Sequence, residues 1–327
     1  MIAISKFRNR EELLTQDLAD WTPKSWSLNL PFRDYRLRAE DTIPAFAGAI
    51  GKVSLVAAFA LAWADSYGIS GEGFVAENVR LEMVVGSLLL LVFSALFLPR
   101  AAPPGTLTPL IPMVPLMVAA GVHPLSLGIL IGLLGLALSL SKAFPRIVAL
   151  NSSGTRGGIL VLFGLLGIFD SGAKLWVWSG PSGSSGPLLF ALIVISGLAA
   201  YFVLLRLKKT WLSVPLCLLV ALAVSAFFGQ LPDLVTQPGL PLINGVSWWQ
   251  DRWQLGPAFG LETILAALPF ALLAVVMWPL DATAILTMHE RQYRPYEQKA
   301  TFDLNQTFLV VSLRNLVGIL LGGAQTA

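Results

Sequence analysis

The chain has 327 residues, of which 55% are hydrophobic and only 13% charged, with a mean hydropathy of +0.72. An average soluble domain carries about 25% charged residues, so the composition excludes a pair of soluble domains and implies an all-α polytopic membrane protein. A net charge of +3, with no basic patch interleaved with aromatics, leaves no basis for nucleic-acid binding. One cysteine (Cys217) and two histidines (His123, His289) exclude a disulfide framework and argue against a His/Cys metal site. No cofactor is implied. The residues after Met1 are polar and lack the apolar core of a signal peptide.

The polar head, residues 1–41, holds seven basic residues. It reads either as a surface helix resting on headgroups through Trp21, Trp26 and Phe32, or as a partly ordered cytoplasmic tail. Nine apolar segments follow, at 43–64, 83–98, 107–120, 124–140, 157–169, 187–207, 211–228, 261–286 and 308–321. About 20 residues cross a hydrocarbon core of ~30 Å. With the head inside and the spans alternating, 17 of the 22 basic residues fall on the inside and three outside. That asymmetry supports the topology. The segment at 107–120 carries Pro109, Pro112 and Pro115 and cannot be a regular helix. Gly128, Gly132 and Gly135, and separately Gly318 and Gly322, are spaced for close helix approach, within one subunit or across a homodimer face. Trp248, Trp249 and Trp253 fall in the outside loop at 229–260 and are expected to form an interfacial aromatic belt.

Three ionisable residues lie inside predicted spans: Lys52, Asp281 and Arg314. Each costs at least ~2.5 kcal/mol near a helix centre and so requires a reason. Lys52 and Asp281 fall at similar depth. They are expected either to cancel as an ion pair or to serve a site where the carboxylate takes a coupling proton or Na⁺. Arg314 is expected to snorkel toward the inner surface. Pro269 and Pro279 predict a bend in the eighth span. In the broken third span, around Pro112, Met113 and Val114, either a half-helix N-terminus would offer free N–H groups to an anion, or a cytoplasmic turn simply precedes a short helix.

The C-terminal part carries Leu268-Pro269-Phe270-Ala271-Leu272-Leu273, then Asp281-Ala282-Thr283-Ala284, a charged loop, and Asn315-Leu316-Val317-Gly318-Ile319-Leu320-Leu321-Gly322-Gly323. This pattern resembles the sulfate permease (SulP) family of anion transporters, within the superfamily that includes the uracil/xanthine permeases. The resemblance is carried chiefly by residues 261–327. It implies a seven-plus-seven inverted-repeat fold, with residues 42–228 as the first repeat and 261–327 as the start of a second that is cut short. It also implies that Asp281 couples an ion, that 107–120 is the third helix, and that Gly323, Ala324, Gln325 and Thr326 stand where the tenth begins. The uracil/xanthine permeases carry a glutamate in the eighth helix where this chain has Met277, which argues against nucleobase binding there.

The reading that follows is a secondary transporter in a bacterial inner membrane, N-terminus cytoplasmic. It would move a small sulfate-, bicarbonate- or dicarboxylate-like anion by alternating access, coupled to H⁺ or Na⁺. The alternatives are a nucleobase-type permease relative and a non-transporting, degenerate membrane protein. No helix carries a base–nucleophile pair, so an enzyme is not expected.

Overall fold

A computed structural model describes residues 24–34, 42–69, 71–102, 107–150, 153–180, 185–207, 209, 212–230, 239–241, 245–256, 259–293 and 302–324. The architecture is all-helical. Helix α1 spans Thr42–Tyr67. Helix α2 starts as Gly71–Leu81, passes through a π-helical stretch Glu82–Gly86 and one turn of α-helix, Ser87–Leu90, and ends in a second π stretch, Leu91–Phe97. A 3₁₀ segment, Thr108–Met113, leads into α3, Val114–Ala119. Then follow α4 (Pro124–Leu140), α5 (Phe144–Leu150), α6 (Ser153–Trp178), α7 (Gly186–Arg206) and α8 (Ser213–Phe227). The short α9 (Gly245–Asp251) precedes α10 (Leu261–Tyr293) and α11 (Leu304–Leu320).

Among the described residues, four helices are long and apolar enough to cross a membrane: Ala45–Tyr67, Gly73–Phe97, Gly186–Arg206 and Leu261–Pro279. A fifth candidate is the pair Pro124–Leu140 and Phe144–Leu150, bent by 96°. Large apolar side chains also cover the outside, among them Leu88, Leu91, Ile168, Phe169, Ile195 and Phe202. A water-facing surface does not tolerate a continuous apolar coat, whereas lipid favours one. These features make the chain an integral membrane protein. The sequence-based start of the second span at residue 83 is too late. The helix begins at Gly71, which brings Glu77, Arg80 and Glu82 out of the expected loop and into α2. Helix α10 continues as one helix through both Pro269 and Pro279.

Helix α4 is the packing centre, with α11 on one side and α10 on another. Its glycines make this possible. A Cβ at Gly128 would lie 2.8 Å from Ile319 Cδ1, one at Gly132 2.5 Å from Leu316 Cγ, and one at Gly135 2.9 Å from Trp278 Cζ3 with Ser312 Oγ nearer still. Positions rising along α4 thus meet positions falling along α11, an antiparallel seam in which glycine lets the backbones approach. Asn315 Nδ2 uses that proximity to donate to Gly128 O at 3.0 Å. The expected Gly318/Gly322 stripe does not pack the same way: nothing lies within 4 Å of a Cβ at Gly318, and Gly322 ends the helix at φ +92°.

At the head end of the bundle, residues 24–34 form turns rather than a helix. They dock on the last carbonyls of α2, with Trp26 N donating to Phe97 O and Asn29 N to Leu96 O, both at 2.8 Å. Trp26 and Phe32 are exposed, while Trp21 lies outside the described residues. The start of α11 lies at the same end. Asp303 caps it by accepting from Asn305 N at 2.8 Å, a favoured N-cap arrangement, and Asp303 N donates to Arg100 O at 2.9 Å.

Overpacking a tight seam costs about 1–3 kcal/mol. Gly132→Leu is therefore expected to lower the melting temperature of the purified protein. Gly164→Leu on α6, where a Cβ meets nothing within 4 Å, should leave it unchanged or raise it. Thermal unfolding in detergent checks the pair.

Candidate functional site

Three charged side chains from three helices converge inside the bundle. Lys52 comes from α1, Glu82 from the π stretch of α2, and Arg314 from α11. At 1.5 Å per residue, Lys52 and Arg314 lie about 15 Å from the starts of their helices, and Glu82 about 16 Å from the start of its own. Lys52 Nζ is 3.1 Å from Glu82 Oε1. The same oxygen accepts from Arg314 Nη2. The side chains of Glu82 and Arg314 are 4% and 3% exposed and that of Lys52 18%, so the carboxylate and the guanidinium are buried and the lysine partly so.

The local backbone is shaped for this carboxylate. A Cβ at Gly86 would lie 2.8 Å from Glu82 Cδ and 3.1 Å from Oε1. The glycine therefore leaves the space that the Glu82 head occupies. The π geometry changes the angular step between positions 82 and 86 and widens the turn. Such π segments often mark functional sites.

Arg314 is incompletely satisfied. Its Nε and Nη1 are buried and have no hydrogen-bond partner. The guanidinium borders a small recess shared with Leu81, Glu82, Gly86, Asn315 and Gly318. An arginine can donate through five N–H groups, and an unmade charged bond in a dry interior costs more than a neutral one. Arg314 does not snorkel, contrary to the sequence-based expectation, and the reason is Glu82. A carboxylate at mid-helix gives the guanidinium a partner that the inner surface does not need to supply.

The other expected site residues are distributed as follows. Lys52 is in the cluster. Asp281 belongs to α10, but its side chain lies outside the described residues, as do Gln325 and Thr326. Pro112 and Met113 end the 3₁₀ segment and Val114 begins α3, with its side chain buried. This segment packs on α1 and α6. Gly323 and Ala324 lie against α2: a Cβ at Gly323 would be 3.0 Å from Leu81 Cδ2, and Ala324 N donates to Asn78 Oδ1 at 2.5 Å. Glu82 is the residue that sequence reasoning missed. Its signal was an acidic residue directly abutting an apolar run.

The end of the bundle opposite the head is closed by aromatics. Trp248, Trp249 and Trp253 are buried, which corrects the expectation of an interfacial belt. Trp253 stacks on Trp249 at 5.1 Å and meets Phe74 edge-on at 4.7 Å and Trp63 at 6.0 Å. Trp253 Nε1 donates to Gly322 O at 2.9 Å, and a side chain at Gly322 would collide with Trp248. His123 belongs to this end. Its Nδ1 accepts from Leu125 N at 3.2 Å, capping α4, and its Nε2 is 3.1 Å from Gly256 O. The two bonds together select the neutral tautomer protonated on Nε2.

The chain belongs to the family described as "Protein of unknown function (DUF3360)", which matches residues 2–327. No curated protein matches it.

Two expected outcomes follow from these contacts. Removing one partner of a buried ion pair costs about 3–5 kcal/mol, because the other charge is stranded. Glu82→Met, which leaves Lys52 and Arg314 facing each other, should therefore destabilise the protein strongly, and adding Arg314→Met should recover part of the loss in a double-mutant thermal-melt cycle. For His123, burial holds the imidazole pKa below the ordinary 6.5, against an opposing pull from the Gly256 carbonyl. The unfolded chain then binds the proton first as pH falls. The contribution of His123 is complete above pH 6.5 and is lost below it, down to the folded-state pKa. His123→Asn, which keeps a capping oxygen, should flatten the fall in melting temperature between pH 7.5 and 5.5.

Proposed function

We propose that this member of DUF3360 is a secondary transporter of a small anion of the sulfate, bicarbonate or dicarboxylate kind. It works by alternating access with coupling to H⁺ or Na⁺. The observation that supports the reading most is the Lys52–Glu82–Arg314 cluster. Ionisable groups inside a membrane bundle are expensive and mark ion or substrate pathways. Among the described residues of this cluster, two cations share one carboxylate. The irregular backbone of Thr108–Met113 supports the same reading, because non-helical backbone at membrane depth is tolerated where it is buried or lines a cavity.

The finer parts of the proposal are nine spans, a seven-plus-seven inverted repeat and a cytoplasmic N-terminus in a bacterial inner membrane. Asp281 is the coupling carboxylate. Pro112, Met113 and Val114 on one side, and Gly323, Ala324, Gln325 and Thr326 on the other, contact the anion. The nucleobase alternative is the weaker one, since a buried thioether, Met277, cannot hydrogen-bond a pyrimidine edge as a carboxylate does.

Proteoliposomes holding the purified protein should accumulate labelled sulfate, bicarbonate or succinate when a proton or sodium gradient is imposed. Asp281→Asn should abolish the dependence on that gradient while leaving exchange measurable. Uptake by Asp281→Asn with the parent's rate and ion dependence would remove the coupling role.

A further inference from the structure

We infer that the recess between α2 and α11 is an oxyanion site, with Arg314 as its principal ligand and Glu82 as the tethered carboxylate that competes for the same guanidinium. The inference rests on the anion reading above but assigns a site that the reading did not contain. Arg314 was expected to be a snorkelling residue, and neither α2 nor α11 was expected to touch substrate.

Three independent features support it. The first is chemical: Arg314 Nε and Nη1 are buried donors without acceptors, while Nη2 is engaged by Glu82. A ligand that offers oxygen acceptors and no donors, and that carries negative charge, satisfies both needs. The second is spatial. Gly318 stands one turn beyond Arg314 on the same face of α11, borders the recess, and has nothing within 4 Å of the place a Cβ would occupy. The third is electrostatic. Lys52 Nζ lies 3.1 Å from the Glu82 oxygen that also binds Arg314. Glu82 therefore bridges the two cations. An incoming oxyanion shares or displaces that carboxylate, without any covalent change. The recess as it stands has room for about one water molecule, so an oxyanion enters only as the Glu82 carboxylate moves aside, and the recognised unit is then a group of that size: bicarbonate, a monocarboxylate, or one end of a dicarboxylate.

The test is thermal unfolding of the full chain in detergent at constant ionic strength, titrating sodium bicarbonate, acetate, succinate or sulfate against sodium chloride. The wild type should show a saturable rise in melting temperature with at least one carboxylate-type anion above the chloride baseline. Gly318→Leu fills open space rather than packed core. It should melt like the parent without anion and bind at least about tenfold more weakly, equivalent to ~1.4 kcal/mol. Glu82→Gln removes the competitor and should bind about tenfold more tightly; Arg314→Lys, without the planar donor fork, should bind more weakly. A response to chloride equal to that for every oxyanion, no response at all, or an unchanged response in Gly318→Leu would overturn the site. A response to sulfate alone would overturn the carboxylate assignment. The two readings fail separately. Binding that depends on Gly318 without uptake by any form removes transport and keeps the site. Uptake that survives Gly318→Leu keeps transport and removes the site.

Discussion

The rotational setting of α11 is fixed by the glycine face of α4, and the ion cluster depends on that setting. A helix advances by about 100° per residue, so Ser312, Leu316 and Ile319, which sit over Gly135, Gly132 and Gly128, share one face. Arg314 lies roughly opposite them and is thereby aimed at α2. If α4 carried larger residues at these positions, α11 would have to retreat or rotate. Either movement would carry the guanidinium away from Glu82. An apolar packing choice on one side of the helix thus determines the electrostatics on the other.

The cluster in turn adds a polar tie among α1, α2 and α11 to the packing between them. A lone charge in the bilayer core is unfavourable by several kcal/mol, and its partner is bound to it by the same penalty. Lys52 on α1, Glu82 on α2 and Arg314 on α11 therefore act as a strap at mid-depth, supplemented by Asn315 to Gly128 O on the α4 side. Gly86 shows how finely this is accommodated, because the carboxylate occupies the volume that a side chain at 86 would need. Buried ion pairs are seldom the cheapest way to stabilise a fold. An apolar substitute would hold the helices as well, and the retention of unsatisfied guanidinium donors calls for a reason beyond packing.

Much of this was legible in the sequence. The low charge and the long apolar runs gave an all-helical membrane chain. The spacing of Gly128, Gly132 and Gly135 gave a close helix contact, and the triple proline at 109, 112 and 115 gave irregular backbone where the 3₁₀ segment stands. What escaped was whatever depends on which side chains meet. A hydropathy window starts a span where the apolar run starts, at Met83, and so assigned the adjoining Glu82 to a loop. With Glu82 misplaced, Arg314 could only be read as snorkelling, and the contact of Lys52 with Glu82 could not be foreseen. The tryptophans were misread for a related reason. Their composition is the same in a membrane belt and in a buried plug, and only the neighbours Trp63, Phe74 and Gly322 distinguish the two.

The two ends of the bundle are held by different physics, and this bears on how a transporter of this shape would move. The head end is joined by directional backbone bonds, from Trp26 and Asn29 to α2 and from Asp303 to Arg100. The opposite end is joined largely by aromatic surfaces, with single hydrogen bonds from Tyr67 to Val122 O at 2.7 Å, from Trp253 to Gly322 O and between His123 and Gly256 O. Aromatic contacts are non-directional and can slide, whereas the glycine seam between α4 and α11 interlocks along its length and resists shear. Alternating access would then leave the α4–α11 pair moving as one body, with the ion cluster on its flank. The helix facing that flank is α2. Displacement of α2 relative to α11 would separate Glu82 from Arg314, and the charge most able to offset that separation is an anion held between them.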